Sequence, residues 1–201
     1  EHNLRIKLEA TQRAAVAQAL KEKVFTLIGG PGTGKTTITR VIVSLLESRR
    51  QRVIVCAPTG KAAKRASEAI GVPAATIHRT LDWKNTPQYN ADRPLQCDVV
   101  VLDEMSMVDI FLFRALLDAI PPHAKLILIG DADQLPSVGP GRVLTDIVAS
   151  GRISTVRLTE VFRQAQQSHI IRNAHLINQG HVPDVGWEEG ADFGFFHHES
   201  A

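Results

Sequence analysis

Three short stretches of the chain gather side chains able to do chemistry on a phosphate ester. The first, GGPGTGKTT at 29–37, matches the spacing G-x-x-x-x-G-K-[ST] with Gly29, Gly34, Lys35 and Thr36. Glycines at this spacing let backbone N–H groups curl around phosphates, and the positive end of a following helix adds to their pull. Lys35 is placed to reach β- and γ-phosphates, and the Thr36 hydroxyl is a hard oxygen donor of the kind Mg²⁺ takes. This chemistry is the binding of a nucleoside triphosphate.

The second stretch, VVVLDEMSMVD, sets Asp103 and Glu104 at the end of an apolar run. Beside a phosphate loop, the aspartate suits the Mg²⁺ shell and the glutamate suits the orientation and deprotonation of water. That pair argues for hydrolysis rather than transfer to a small acceptor. In the third, GDADQLPSVGPG, Asp131 and Asp133 read either as further metal ligands or as part of a plain polar loop. Gln134 offers an amide at a strand tip that could sense a γ-phosphate. The residues alone leave both readings open.

These groups need a scaffold, and the apolar pattern supplies one. Runs at Val24–Ile28, Val53–Ala57, Val99–Leu102 and Leu126–Ile129 predict buried strands. Between them, 11–21, Thr36–Arg49, 60–70 and 108–119 have helical composition or spacing, so the alternation predicts an α/β fold with a parallel sheet. Residues 82–96, rich in Asn, Pro and Asp, predict a surface loop. Val156–Leu158 reads as a further strand, Ser168–Gln179 as a helix capped by Ser168, and DFGFFHHES at the end as a strand.

Composition narrows the class further. The 201 residues are 44% hydrophobic and 5% aromatic, a balance of aliphatic layers rather than an aromatic-rich sandwich. A net charge of +2 gives no global pull on nucleic acid, so any such binding comes from a local patch. Cys56 and Cys97 lie in apolar runs and read as buried thiols; two cysteines are too few for a disulfide framework. No run approaches a membrane span and no signal-peptide core is present, so a soluble, cytoplasmic protein is expected.

Other reactive residues read as structural. His169, His175 and His181 are spaced by six, which rotates a helix by about 240°, so they do not share a metal-binding face. Trp83 and Tyr89 read as covers for local core rather than base-stacking platforms. Arg49, Arg50 and Arg52 read as complements to a helix dipole. APTGK at 57–61 differs: at a strand's end and a helix's start, its amides, hydroxyl and Lys61 suit a nucleic-acid phosphate, with Lys64 and Arg65 adding local charge.

In their order, these segments resemble the superfamily 1 helicases, and among them the RecD-like group. The resemblance is carried by TQRAAV at 11–16, GGPGTGKTT at 29–37, APTGKAAKRASE at 57–68, TIHRTL at 76–81, VVLDEMSMVD at 100–109, GDADQLPSVGPG at 130–141 and LTEVFRQ at 158–164. It implies a RecA-like P-loop NTPase fold, a parallel sheet with helices on both faces, using ATP and Mg²⁺. By likeness, Gln12 reads the adenine and Gly30, Pro31, Gly32, Thr33, Gly34, Lys35, Thr36 and Thr37 hold the phosphates. Thr36 and Asp103 correspond to the Mg²⁺ residues, Glu104 to the base, Gln134 to the γ-phosphate coupling residue and Arg163 to an arginine that contacts the γ-phosphate. Single-stranded DNA contacts fall on Pro58, Thr59, Gly60 and Lys61, and on His78 and Arg79.

The resemblance also sets the domain expectation: a motor domain over 1–180, with 181–201 beginning the connection to a second RecA-like domain. About 35 residues after LTEVFRQ are too few for that second domain. The expected parent is an ATP-driven helicase moving 5′→3′ on single-stranded DNA and opening duplex junctions, in repair or recombination, alone or with other recombination subunits. This stretch alone is expected to bind ATP–Mg²⁺ and to hydrolyse it weakly. Two other classes share the phosphate loop: a phosphoryl-transferring kinase, disfavoured by Asp103, Glu104 and Gln134, and a nucleotide-gated binding or assembly module, disfavoured by Glu104.

Overall fold

The structure, a computed structural model, describes residues 8–160, 168–186 and 192–194. Six parallel strands form one sheet in the order β3-β2-β4-β5-β1-β6: β1 (Val24–Gly29), β2 (Val53–Ala57), β3 (Ala74–Thr76), β4 (Val99–Leu102), β5 (Lys125–Gly130) and β6 (Ser154–Leu158). Helices are α1 (Ala10–Lys21), α2 (Lys35–Ser48), α3 (Gly60–Ile70), α4 (Ile77–Thr80), α5 (Ile110–Ala119), α6 (Val143–Ser150) and α7 (His169–Asn178).

Side chains that alternate along a strand point to opposite faces. Val99, Val101, Ile127 and Ile129 therefore join Phe25 and Leu27 against α1, α2 and α3. Their neighbours Val100, Leu102, Leu126 and Leu128 join Ile28 against α4, α5 and α6. Both faces are covered, which is why the strands read as unbroken apolar runs. The α/β expectation and its four central strands hold. Val156–Leu158 lies within β6, and Ser168 caps α7 by accepting from the Ile171 N–H.

Some local structure was not legible. β3 is three residues of small side chains, α4 is a single turn, and α6 follows the Gly/Pro loop for only eight residues. At the far end, Asp192, Phe193 and Gly194 form no strand; Asp192 instead accepts from the Ser168 hydroxyl and the His169 N–H, and the rest of DFGFFHHES lies outside the described residues. Arg52 sits beyond the end of α2 and pairs with Asp98, 3.5 Å away, rather than with a helix dipole. In the 82–96 loop, Leu95 is buried while Trp83 and Tyr89 pack on the second core, as covers. Cys56 and Cys97 are both buried free thiols, pushed by burial up to about 12 and about 11. Among the described residues, no helix is long and apolar enough to cross a membrane.

Candidate nucleotide and nucleic-acid site

A parallel sheet delivers every strand's carboxyl end to the same edge. Here that edge receives the phosphate loop after β1, Pro58–Lys61 after β2, His78 and Arg79 after β3, Asp103 and Glu104 after β4, and Asp131 after β5. Because β4 and β5 lie between β2 and β1, the acidic residues stand between the phosphate loop and the two candidate DNA segments.

The loop's geometry follows from its residues. Gly32 and Gly34 take left-handed backbone (φ 73° and 84°), and Gly34 caps α2 without a side chain, leaving the helix's first N–H groups to a ligand. Thr33 is buried and ties the loop by donating its hydroxyl to the Gly30 carbonyl at 2.8 Å. Lys35 Nζ spans the loop, donating to the carbonyls of Gly29 and Gly30. Thr36 is exposed on the first turn of α2.

On β4 the ladder runs one residue further, Asp103 N–H donating to the Cys56 carbonyl at 2.9 Å. The chain then turns sharply. Glu104 has φ 54°, a conformation costing a non-glycine residue about 1–3 kcal/mol, and its N–H donates to Asp103 Oδ1 at 2.9 Å. Met105, buried at the start of a 3₁₀ turn over Met105–Met107, anchors this bend. Strain held by buried neighbours is characteristic of functional sites.

Asp131 is 2% exposed and accepts from the Asp133 N–H at 3.0 Å, folding the third loop back on itself. Gln134 is exposed; its Oε1 accepts from the Ser106 hydroxyl at 3.4 Å, tying this loop to the turn that follows Glu104. Asp133 points the other way, pairing with Arg157 on β6 at 3.6 Å. Of the two aspartates, only Asp131 faces the acidic set.

The electrostatics make these residues one unit. Burial lowers the Lys35 pKa against the opposing pull of Asp131, Glu104 and Asp103. Burial raises the Asp103 pKa, opposed by the Glu104 N–H, Lys35 and Arg65. Glu104 is raised by burial and then by Asp103, opposed by Lys35 and Arg65. Three carboxylates facing one buried ammonium leave an excess of negative charge that a divalent cation would neutralise. The Thr36 hydroxyl and Asp103 carboxylate are hard oxygen donors of the right type for Mg²⁺, which keeps several waters and needs few protein ligands. Of the two readings left open for Asp131, its place beside Lys35 and Glu104 favours membership of the acidic set. Arg65, read from the sequence as charge for a nucleic-acid phosphate, also acts on Asp103 and Glu104.

Gln12 is 4% exposed in a crevice with Thr33 and Leu158, and its Oε1 accepts from the Glu9 N–H at 3.1 Å in a capping box. On the candidate DNA side, Thr59 caps α3, accepting from the Ala62 N–H at 3.2 Å, while Lys61 is exposed. His78 and Arg79 are exposed on α4, and the His78 ring leans on Trp83 at 5.1 Å. The pairing of Ala57 with Thr76 makes these two segments neighbours. Arg163 lies outside the described residues.

Comparison with known proteins agrees with this architecture. The AAA domain family matches residues 7–200. The ATP-dependent RecD2 DNA helicase of Deinococcus radiodurans is 40% identical over 182 residues, 89% of this chain and 25% of that protein. The RecBCD enzyme subunit RecD of Mycobacterium tuberculosis is 39% identical over 183 residues, 79% of this chain and 31% of that protein. The chain thus spans about a quarter to a third of these relatives' length. Among solved structures, the Pif1 helicase from Candida albicans superposes with a TM-score of 0.63 at 26% identity, over 89% of this chain and 46% of that one. Bacteroides Pif1 bound to single-stranded DNA gives 0.57 at 22% identity, over 88% and 47%. With a phosphate loop, an acidic strand end and a covered parallel sheet in these positions, the chain belongs to the AAA domain family and is a first RecA-like domain of the RecD-like superfamily 1 helicase type.

Proposed function

We propose that this chain is the ATP-binding motor domain of a DNA helicase, hydrolysing ATP in step with movement on single-stranded DNA. The observation that carries the reading is the convergence of Lys35, Asp103, Glu104 and Asp131 in one electrostatic unit beside the phosphate loop. In this reading Gly30–Thr37 wrap the phosphates, Lys35 leaves its loop carbonyls for the β- and γ-phosphates, and Gln12 reads the base. Thr36 and Asp103 hold Mg²⁺, which when bound neutralises charge on the phosphate oxygens. Glu104, its proton affinity raised by burial and by Asp103, takes the proton of the attacking water. Gln134, bonded to Ser106 in the adjoining turn, carries the γ-phosphate state along the strand ends, and Arg163 adds positive charge to that phosphate.

Pro58, Thr59, Gly60, Lys61, His78 and Arg79 form the single-strand track. This reading is supported by the bond from the Asp103 N–H to the Cys56 carbonyl, since Pro58–Lys61 and Glu104 follow the two strands that it joins. The motor domain covers 1–180, and 181–201 begins the connection to a second RecA-like domain. In the whole protein we expect 5′→3′ movement, opening of duplex junctions and a role in DNA repair or recombination in the cytoplasm, alone or with other recombination subunits. The experiment is steady-state ATP hydrolysis by the natural polypeptide with no nucleic acid, with single-stranded DNA and with RNA. Strong stimulation by single-stranded DNA, lost in Lys35→Ala, supports the motor; hydrolysis indifferent to nucleic acid overturns it.

A further inference from the structure

The imidazole of His175, on α7, lies against the phosphate loop more than 140 residues earlier in the chain. Its Nε2 is 3.3 Å from the Pro31 carbonyl, and a Cβ on Gly30 would sit 3.0 Å from its Cε1. A carbonyl oxygen only accepts, so Nε2 carries the proton and donates. A side chain at Gly30 would push the ring away by a few tenths of an ångström.

The helix carrying the ring is fixed by its own polar bonds. Asn173 is 1% exposed and exchanges two hydrogen bonds with the Asp184 backbone, each 2.8 Å. At its start, the Ser168 hydroxyl accepts from Ile171 and donates to Asp192. His175 also borders a cleft of about 260 Å³ beside the loop, with Thr33, Asp133 and Arg157 on its other walls.

The consequence runs through the peptide plane. The described bonds are all trans, and in a trans peptide the C=O and the following N–H point to opposite sides. Holding the Pro31 carbonyl toward α7 turns the Gly32 N–H away from it. Among the described residues, no acceptor takes that N–H. It is a loop amide of the kind that binds phosphate oxygen.

We propose that His175 is a positioning residue for the nucleotide reaction: it pins the Pro31–Gly32 peptide so that the Gly32 amide is pre-set for a phosphate. This also makes α7 the element that responds when a nucleotide moves the loop. The inference rests on the nucleotide-binding reading above. Its test is equilibrium binding of ADP and of the slowly hydrolysed ATPγS to this chain and to three variants. His175→Ala is expected to weaken both about fivefold, the scale of one net hydrogen bond. His175→Gln, which places an amide N–H at the reach of Nε2, should recover most of that loss. His175→Phe, which keeps a ring over Gly30 without a donor, should not. In the unmutated chain, the ¹⁵N spectrum should show His175 Nε2 as the protonated nitrogen and should shift at both His175 and Gly32 when ADP is added.

Binding left unchanged by His175→Ala, recovery by Phe equal to that by Gln, or a dominant Nδ1–H tautomer each overturns the proposal alone. Failure of the unmutated chain to bind either nucleotide overturns the underlying reading, and the proposal with it.

Discussion

Lys35 and Lys61 stand at the same edge of one sheet, each in the first turn of a helix that follows a strand, and their surroundings are opposite. Lys35 is withdrawn from water, held to loop carbonyls and faced by three carboxylates, so its charge is costly and its position fixed. Lys61 is exposed at a helix start where Thr59 caps the Ala62 N–H. The contrast extends to their neighbours: Glu104 is bent into a left-handed conformation, whereas His78 and Arg79 sit in relaxed helix. Bond-breaking chemistry gains from desolvated, pre-aimed charges, because each then acts without solvent reorganising around it. A single strand that slides over a surface is served better by exposed cations whose contacts form and break cheaply. The sheet accommodates both because β4 and β5 stand between β1, which leads to Lys35, and β2, which leads to Lys61.

The comparison is broken most decisively at Lys35. Lys35→Ala leaves three facing carboxylates without their ammonium, and ATP hydrolysis by the natural polypeptide should fall by at least about 10²–10³-fold. Intact hydrolysis would move the chemistry elsewhere. Glu104→Gln should cut single-turnover hydrolysis by about 10²–10⁴-fold with ADP affinity nearly unchanged. A module that never turns over would be indifferent to it.

Two glycines sharpen the contrast in packing. A Cβ on Gly29 would lie 2.6 Å from Thr33 Oγ1 and 3.0 Å from the Leu158 carbonyl, whereas one on Gly60 meets nothing within 4 Å. Denaturant titration should show Gly29→Ala losing about 1–3 kcal/mol. Gly60→Ala should be neutral or gain up to about 1 kcal/mol. On the exposed side, Lys61→Ala should weaken single-stranded DNA binding a few-fold and lower the salt slope of log K by about 0.7. A larger loss, insensitive to salt, would mean that Lys61 is not a simple phosphate contact.

The smallest effect is in pH. Burial raises the folded-state pKa of Asp103 and Glu104 above their ordinary values, so the folded chain binds more protons than the unfolded one just above the carboxylate range. Stability therefore falls as pH rises through that window, the reverse of a salt-bridged carboxylate. Thermal melts across about pH 4–7 should show Glu104→Gln flattening that slope and melting slightly higher than the parent at neutral pH. A lower melting point at neutral pH would show Glu104 to be a stabilising partner instead.

The sequence by itself determined much of this protein. The phosphate loop, the acidic strand end, four central strands and the sheet's parallel sense are all local patterns, because glycine spacing, apolar runs and alternation with helices are local properties. Ser168 as a cap and Trp83 and Tyr89 as covers were legible for the same reason. Short or weakly patterned pieces were not: β3 has no apolar run to announce it, and α6 is too brief to show a period. The tertiary structure alone decided which distant groups meet. The four apolar residues Val99–Leu102 do not say which of them faces α2 and which α5; the sheet's position between two helix layers does. Arg52 turned from its helix to Asp98, Asp131 rather than Asp133 joined the acidic set, and His175 reached the phosphate loop. These pairings depend on chain segments brought together by folding, and residue type and spacing carry no record of a neighbour that distant.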